Sequence, residues 1–104
     1  MKYSVILSPE ALNDINDIYT YIAVTLSEKE IAAQMVRLIE NSILSLNEMP
    51  NRFKRYNEEP WKSRGLRVMN VKKYLIFYIP HDDIKTVDVL RVIYGSRDID
   101  KHLN

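Results

Sequence analysis

The spacing of hydrophobic positions changes twice along the chain. Apolar residues alternate over Lys2 to Leu7, recur every three or four residues from Leu12 to Leu46, and crowd into near-continuous runs between Leu66 and Ile93. Alternation predicts a short strand with Tyr3, Val5 and Leu7 on one face. Ser8-Pro9-Glu10 has the chemistry of a helix start: a side-chain acceptor, a proline suited to the first turn, and a carboxylate at the positive end. Leu12, Ile15, Ile18 or Tyr19, Ile22 and Leu26 then predict one amphipathic helix, with Asn13, Asp14, Asn16 and Asp17 on its wet side.

Ser27 and Glu30 stand at capping-box spacing and predict the start of a second helix. Its stripe is Ile31, Met35, Leu38, Ile39, Ser42 or Ile43, and Leu46, and Met49-Pro50 ends it. The short link predicts an antiparallel helical hairpin. Residues 51–60 show no period and read as a loop, with Phe53 and Tyr56, like Trp61, anchoring it to the domain. Three strands follow: Gly65 to Val71, Tyr74 to Ile79, and Thr86 to Tyr94. Lys72-Lys73 makes the first turn; Pro80 ends the middle strand and His81-Asp82-Asp83 opens the second connection. The middle strand is apolar on both faces and therefore central. Ser96 to Leu103 is a polar tail, with Ile99 and Leu103 available for packing. The expected architecture is a single α+β domain over 1–104: an N-terminal strand, an antiparallel helical hairpin against one face of a three-stranded antiparallel sheet, and a short C-terminal tail.

Composition narrows the function classes. With 104 residues the chain can bury one core. It has no cysteine, which removes disulfide scaffolds and thiolate metal sites. Its two glycines cannot supply a dinucleotide-binding fingerprint. No cofactor is expected, and neither His81 in a turn nor His102 near the terminus suggests a metal. No apolar run reaches the length of a membrane span or a signal-peptide core, so the expected compartment is the cytoplasm. Charge is unevenly spread: residues 1–50 carry −4 and residues 51–104 carry +5. A basic half suits an acidic partner or nucleic acid, or simply a solvated surface.

Candidate chemistry gathers at the end of the last hairpin, in Arg91, Tyr94, Arg97, Asp98 and His102. An arginine inside an apolar strand marks the solvent face or needs a carboxylate, and Asp98 or Asp88 is the available partner. Arg64 and Arg67 on the preceding strand would complete a basic groove if the fold brings them near Arg91 and Arg97. An Arg–Asp clamp that merely fixes the tail is the competing reading. Cutting RNA through its 2′-hydroxyl needs a proton acceptor, a proton donor and cations at the phosphorane. The chain offers cations and tyrosines without a well-placed acid or base.

The run GLRVMNVKKYLIFYIP, a short polar turn and VDVLRVIYGSRDIDKHL, together with the opening SPEALNDINDIYTYI, resembles the ParE/RelE-type toxins of type II toxin–antitoxin modules. The resemblance spans nearly the whole chain. It implies a toxin neutralised by a cognate antitoxin whose C-terminal segment wraps the helical hairpin and sheet. It also implies one of two targets. RelE-like members cut mRNA on the ribosome; ParE-like members inhibit DNA gyrase by binding. Where RelE-like proteins carry an arginine after the tyrosine that opens the middle strand, this chain has Leu75. Leu66 and Val68 stand where basic residues are expected, with Arg67 between them, and Arg97 alone matches a C-terminal arginine. The exit RVIYGSRD is closer to the ParE-like branch. The resemblance therefore implies a gyrase inhibitor, with a RelE-like ribosome-dependent nuclease using Arg67, Arg91, Tyr94 and Arg97 as the alternative. Expected contact residues for target or antitoxin are Tyr19, Arg64, Arg67, Arg91, Tyr94 and Arg97, with Tyr21 beside Tyr19.

Overall fold

The computed structural model describes residues 2–95 together with Ile99 and Leu103. The elements run β1 (Ser4–Leu7), α1 (Pro9–Thr20), a π-helical turn (Tyr21–Thr25), α2 (Lys29–Leu44), short 3-10 turns at Ser45–Asn47 and Pro50–Arg52, β2 (Lys54–Arg55), β3 (Arg67–Val71), β4 (Tyr74–His81) and β5 (Thr86–Tyr94). The expected α+β architecture is present, with a larger sheet. Five strands stand in the order β1-β5-β4-β3-β2. β1 joins β5 in parallel and the other pairs are antiparallel. The stretch expected to be loop thus supplies an edge strand.

Two apolar clusters hold the sheet from opposite sides. On the helical side, Ala11, Ile15, Ile18, Ile39 and Ile43 pack on Met69, Val71, Ile76, Val87, Val89 and Val92. On the other side, Leu66, Phe77, Ile93 and Leu103 are buried, with Tyr56, Trp61, Val68, Leu75, Ile79 and Ile99 against them. Tyr56 meets the edge of Phe77 at 5.8 Å between ring centres. The loop aromatics are therefore anchors, as expected. β4 is central and apolar on both faces, and buried Tyr78 donates its hydroxyl hydrogen to the Pro50 carbonyl at 2.6 Å.

Several local expectations are corrected. β4 does not stop at Pro80 but continues to His81, paired as far as His81 opposite Thr86. Proline is tolerated there because β3 pairs β4 only as far as Tyr78, so Pro80 has a partner on one side alone. His81 is a strand residue facing Asp88 at 2.9 Å rather than a turn residue. The capping box at Ser27 does not form. Ser27 sits at φ 56° and Glu28 caps α2 without a side-chain bond. A cap residue needs extended backbone. Ser27 instead reverses the chain after the π-turn, where the Leu26 N–H bonds the Tyr21 carbonyl five residues back.

The buried stripes are also displaced. Ala11, Ile15, Ile18, Ile22 and Ala23 are buried on the first helical segment, whereas Leu12 and Leu26 are half exposed. On α2, Ala32, Ile39 and Ile43 are buried, while Ile31 and Leu38 are exposed. Small Ala11 and Ala32 are fully buried, on faces turned away from exposed Leu12 and Ile31.

Candidate functional site

The start of α1 is bolted to β5. The Ser8 hydroxyl accepts from the Ala11 N–H at 3.0 Å and donates to the Leu90 carbonyl at 2.8 Å. The Ser8 N–H bonds the Val89 carbonyl at 3.0 Å. One residue serves as helix cap and sheet-edge partner because β1 ends opposite Val89. Beyond that point the edge of β5 is served by side chains.

Asp14 takes the next position. Its carboxylate accepts from Arg91 Nε at 2.7 Å, Arg91 Nη2 at 2.8 Å and the Val92 N–H at 2.9 Å. Arg91 is therefore held by a carboxylate as expected, but by Asp14 rather than Asp88. Asp88 faces His81, and Asp98 lies outside the described residues. Asp14 is not on the wet side; its side chain is 12% exposed. The bond to Asp14 is the main reason the Arg91 guanidinium is held above its ordinary pKa. A bulge assists the pair. Phe77 aligns with Arg91 and Tyr78 with Val89, leaving Leu90 as the extra residue. Such a bulge re-aims the neighbouring side chain.

This ion pair lies at the wall of a groove of about 850 Å³. Ile18, Tyr21, Ile22 and Leu26 form one wall, Ile31 and Met35 of α2 extend it, and Tyr74, Val92, Ile93 and Tyr94 form the sheet side. Lys72 and Lys73 of the β3–β4 turn and Asp17 of α1 supply its remaining charge. Tyr74 and Tyr94 meet edge to face at 5.6 Å. Burial, then the neighbouring Tyr94 and Tyr21 phenols, raise the Tyr74 pKa. Tyr21, Leu26 and Ile31 are each about half exposed, at 55%, 50% and 49%. The π-turn is what turns Tyr21 and Leu26 toward this opening. The groove can bury an apolar segment and offer it hydroxyls and two ammonium groups at the rim.

Of the residues expected from sequence, Arg91 and Tyr94 meet here. Tyr19 is exposed on α1 but does not line the groove. Arg64 and Arg67 do not join Arg91 in it. Arg64 lies over the Trp61 ring at 4.9 Å, and Arg67 donates to the Phe53 carbonyl at 2.7 Å. Arg64 and Arg67 of the expected four-arginine groove therefore do not join Arg91: Arg67 lies across β4 from it, opposite Tyr78 where Arg91 is opposite Phe77, and is engaged elsewhere. Arg97 and His102 fall outside the described residues. Sequence reasoning missed Asp14, and the signal was present: 11, 14, 15 and 18 form one helical stripe.

At the opposite end of the sheet, Asp82 accepts from the Tyr3 hydroxyl at 2.7 Å and from Asn51 Nδ2 at 3.1 Å. These bonds hold its carboxyl below the usual range. Arg52 caps the end of the helical segment through the Glu48, Met49 and Ser45 carbonyls.

A helical hairpin packed on one face of a five-stranded mixed sheet matches the fold of ParE and RelE toxin structures. The chain resembles the chromosomal ParDE toxin–antitoxin system of P. aeruginosa at TM-score 0.74 and 22% identity, covering 89% of this chain and 96% of that one. It resembles the RelBE2 toxin–antitoxin complex of Mycobacterium tuberculosis at TM-score 0.64 and 22% identity, covering 90% and 99%. The archaeal RelE–RelB complex of Pyrococcus horikoshii OT3 gives TM-score 0.63 at 13% identity, covering 94% and 100%. No curated protein sequence matches the chain. Residues 5–99 match the family profile described as the ParE toxin of the type II toxin–antitoxin system parDE. The chain belongs to the ParE toxin family. Among the described residues no helix is long and apolar enough to cross a membrane.

Proposed function

We propose that this toxin acts by binding DNA gyrase rather than by cutting RNA, and that a cognate antitoxin neutralises it by seating in the groove beside Arg91. The carrying observation is the second face of the sheet. A ribonuclease would need an open, polar surface with a proton acceptor, a proton donor and cations. Here that face is closed by Leu66, Phe77, Ile93 and Leu103, with Leu75 and Val68 beside them. Arg67 is spent on a backbone carbonyl and Arg91 is bound to Asp14. The contrast with the RelE-like pattern at Leu75, Leu66 and Val68 supports the same reading.

The antitoxin reading rests on the exposed apolar residues of the groove. Tyr21, Leu26, Ile31 and Tyr94 leave apolar surface uncovered at one place, and an amphipathic partner segment would bury it. The solved RelBE2 and RelE–RelB structures it resembles are toxin–antitoxin complexes. Of the expected contact residues, Tyr94 and Arg91 belong to this surface, with Tyr19 on the adjoining flank of α1. The deciding experiment expresses the chain without antitoxin and assays gyrase and translation in parallel. The expected result is gyrase-cleaved plasmid with intact ribosome-bound message. Cleaved message with untouched gyrase would establish the RelE-like alternative.

A further inference from the structure

The exposed cations on and beside β2 define a second surface. Residues 52–67 contain six cations against two carboxylates, in a chain whose net charge is only +1. Arg52 and Arg67 are engaged with backbone carbonyls. Lys54 and Arg55 form the edge strand β2, and Lys62 and Arg64 follow in the adjoining loop; all four are exposed. Arg55 stands directly opposite Arg67 in register, an arrangement that like-charge repulsion disfavours without a counter-charge. None of the four has a carboxylate at salt-bridge distance among the described residues. Glu59 is turned to Ser63, which holds its carboxyl below the ordinary range, and feels Lys62 only as a weaker neighbour.

We infer that this edge is a docking surface for the phosphate backbone of duplex nucleic acid, independent of base sequence. Two features favour that partner over an acidic protein segment. A folding-upon-binding peptide needs apolar anchors, yet no large hydrophobic residue between 51 and 83 is exposed. Single-stranded nucleic acid is gripped by stacking on free aromatic rings, yet Phe53, Tyr56 and Trp61 are packed into the two cores. What remains is a set of exposed cations without a hydrophobic centre, with Lys54 and Arg55 on opposite faces of the edge strand, which matches phosphates approaching that edge. The inference goes beyond the gyrase reading and does not depend on it.

The test is fluorescence anisotropy of a labelled 30-base-pair DNA duplex titrated with the full-length toxin freed of antitoxin, over a range of salt. Four phosphate contacts predict a slope of log affinity against log salt of roughly −3 to −4. Lys54→Ala with Arg55→Ala, and separately Lys62→Ala with Arg64→Ala, should each weaken binding at least tenfold and flatten the slope by about 2. The same charge change on α2, Lys29→Ala with Arg37→Ala, should leave the affinity within twofold. Circular dichroism and thermal melting report whether the folds match. Duplex binding that is absent at low salt, or indifferent to both edge pairs, overturns the inference. So does tighter binding to single strands, or to polyglutamate at equal charge. A negative result with DNA alone leaves the gyrase assay unaffected, so the two readings fail separately.

Discussion

The groove and the edge strand lie on one small sheet and are chemical opposites. The groove presents Tyr21, Leu26, Ile31 and Tyr94 half exposed around an internally neutralised Arg91–Asp14 pair. The edge presents Lys54, Arg55, Lys62 and Arg64 with its aromatics turned inward. An arginine reads differently in each place. Arg91 is expended inside the fold, bridging α1 to the bulge in β5, so its charge fixes geometry. Arg64 lies over the Trp61 ring, but none of the edge cations has a carboxylate at salt-bridge distance among the described residues, so their charge is available outward. Arginine content alone therefore says little about function; what distinguishes Arg91 from the edge cations is whether a carboxylate has been folded in beside the cation.

The comparison depends on a sheet rigid enough to keep the two surfaces apart, and breaking its second core should have the largest effect. Phe77 is fully buried with Leu66 and Ile93. Phe77→Ala should cost about 4 kcal/mol in urea unfolding, through lost burial and a residual cavity. A cost below about 1 kcal/mol would mean that the second face is not closed as described.

Next comes the pair that makes Arg91 structural. Asp14→Ala removes three bonds from the β5 bulge. It should destabilise the toxin by about 3 kcal/mol, the loss expected when a mostly buried charge pair is broken. The double variant Asp14→Ala with Arg91→Met should recover part of that loss, which a chemical-denaturation cycle would read directly. If Arg91→Met alone were neutral for folding and abolished toxicity, Arg91 would belong with the functional cations.

The groove surface should matter for partners and little for folding. Leu26→Asp with Ile31→Asp should weaken antitoxin binding by about 2 kcal/mol or more in calorimetry. Stability should move by no more than about 0.5 kcal/mol, as for other exposed positions.

The smallest effect concerns Tyr78, which sits between the two surfaces. Burial pushes its phenol up to about 12. The folded state favours the neutral form, so the contribution is complete below about pH 10, the unfolded value. It is lost as pH rises from there through about 12. Tyr78→Phe removes the bond to the Pro50 carbonyl and should cost about 1 kcal/mol at neutral pH. The gap to the parent should narrow between pH 10 and 12, because the variant has no phenol to ionise there.

The layered order of elements was legible because period-two and period-3.6 patterns are local. So was the start of α1, where Ser8 and Pro9 do what their chemistry suggests. The parallel pairing of β1 with β5 was not, since it joins residues about eighty positions apart and no short turn announces it. Ser27 misled because capping chemistry coincided with a chain reversal that needs left-handed backbone there. Leu12, Leu26 and Ile31 misled because a hydrophobic stripe marks what wants to be covered, without saying whether this chain covers it. Asp14 was hidden by its neighbour: with Ala11 overlooked as a core residue, the stripe was drawn one position too far round the helix. Arg64 and Arg67 were grouped with Arg91 on the expectation that the fold would bring the strands' arginines together, while the sheet places β3 two strands away from β5.

The most direct test of the two-surface account crosses both variants with both ligands. Leu26→Asp with Ile31→Asp and Lys54→Ala with Arg55→Ala would each be measured against antitoxin and against the DNA duplex. The account predicts that the groove pair lowers antitoxin affinity and leaves duplex affinity within twofold, while the edge pair does the reverse. An edge pair that weakens antitoxin as strongly as it weakens DNA would contradict it.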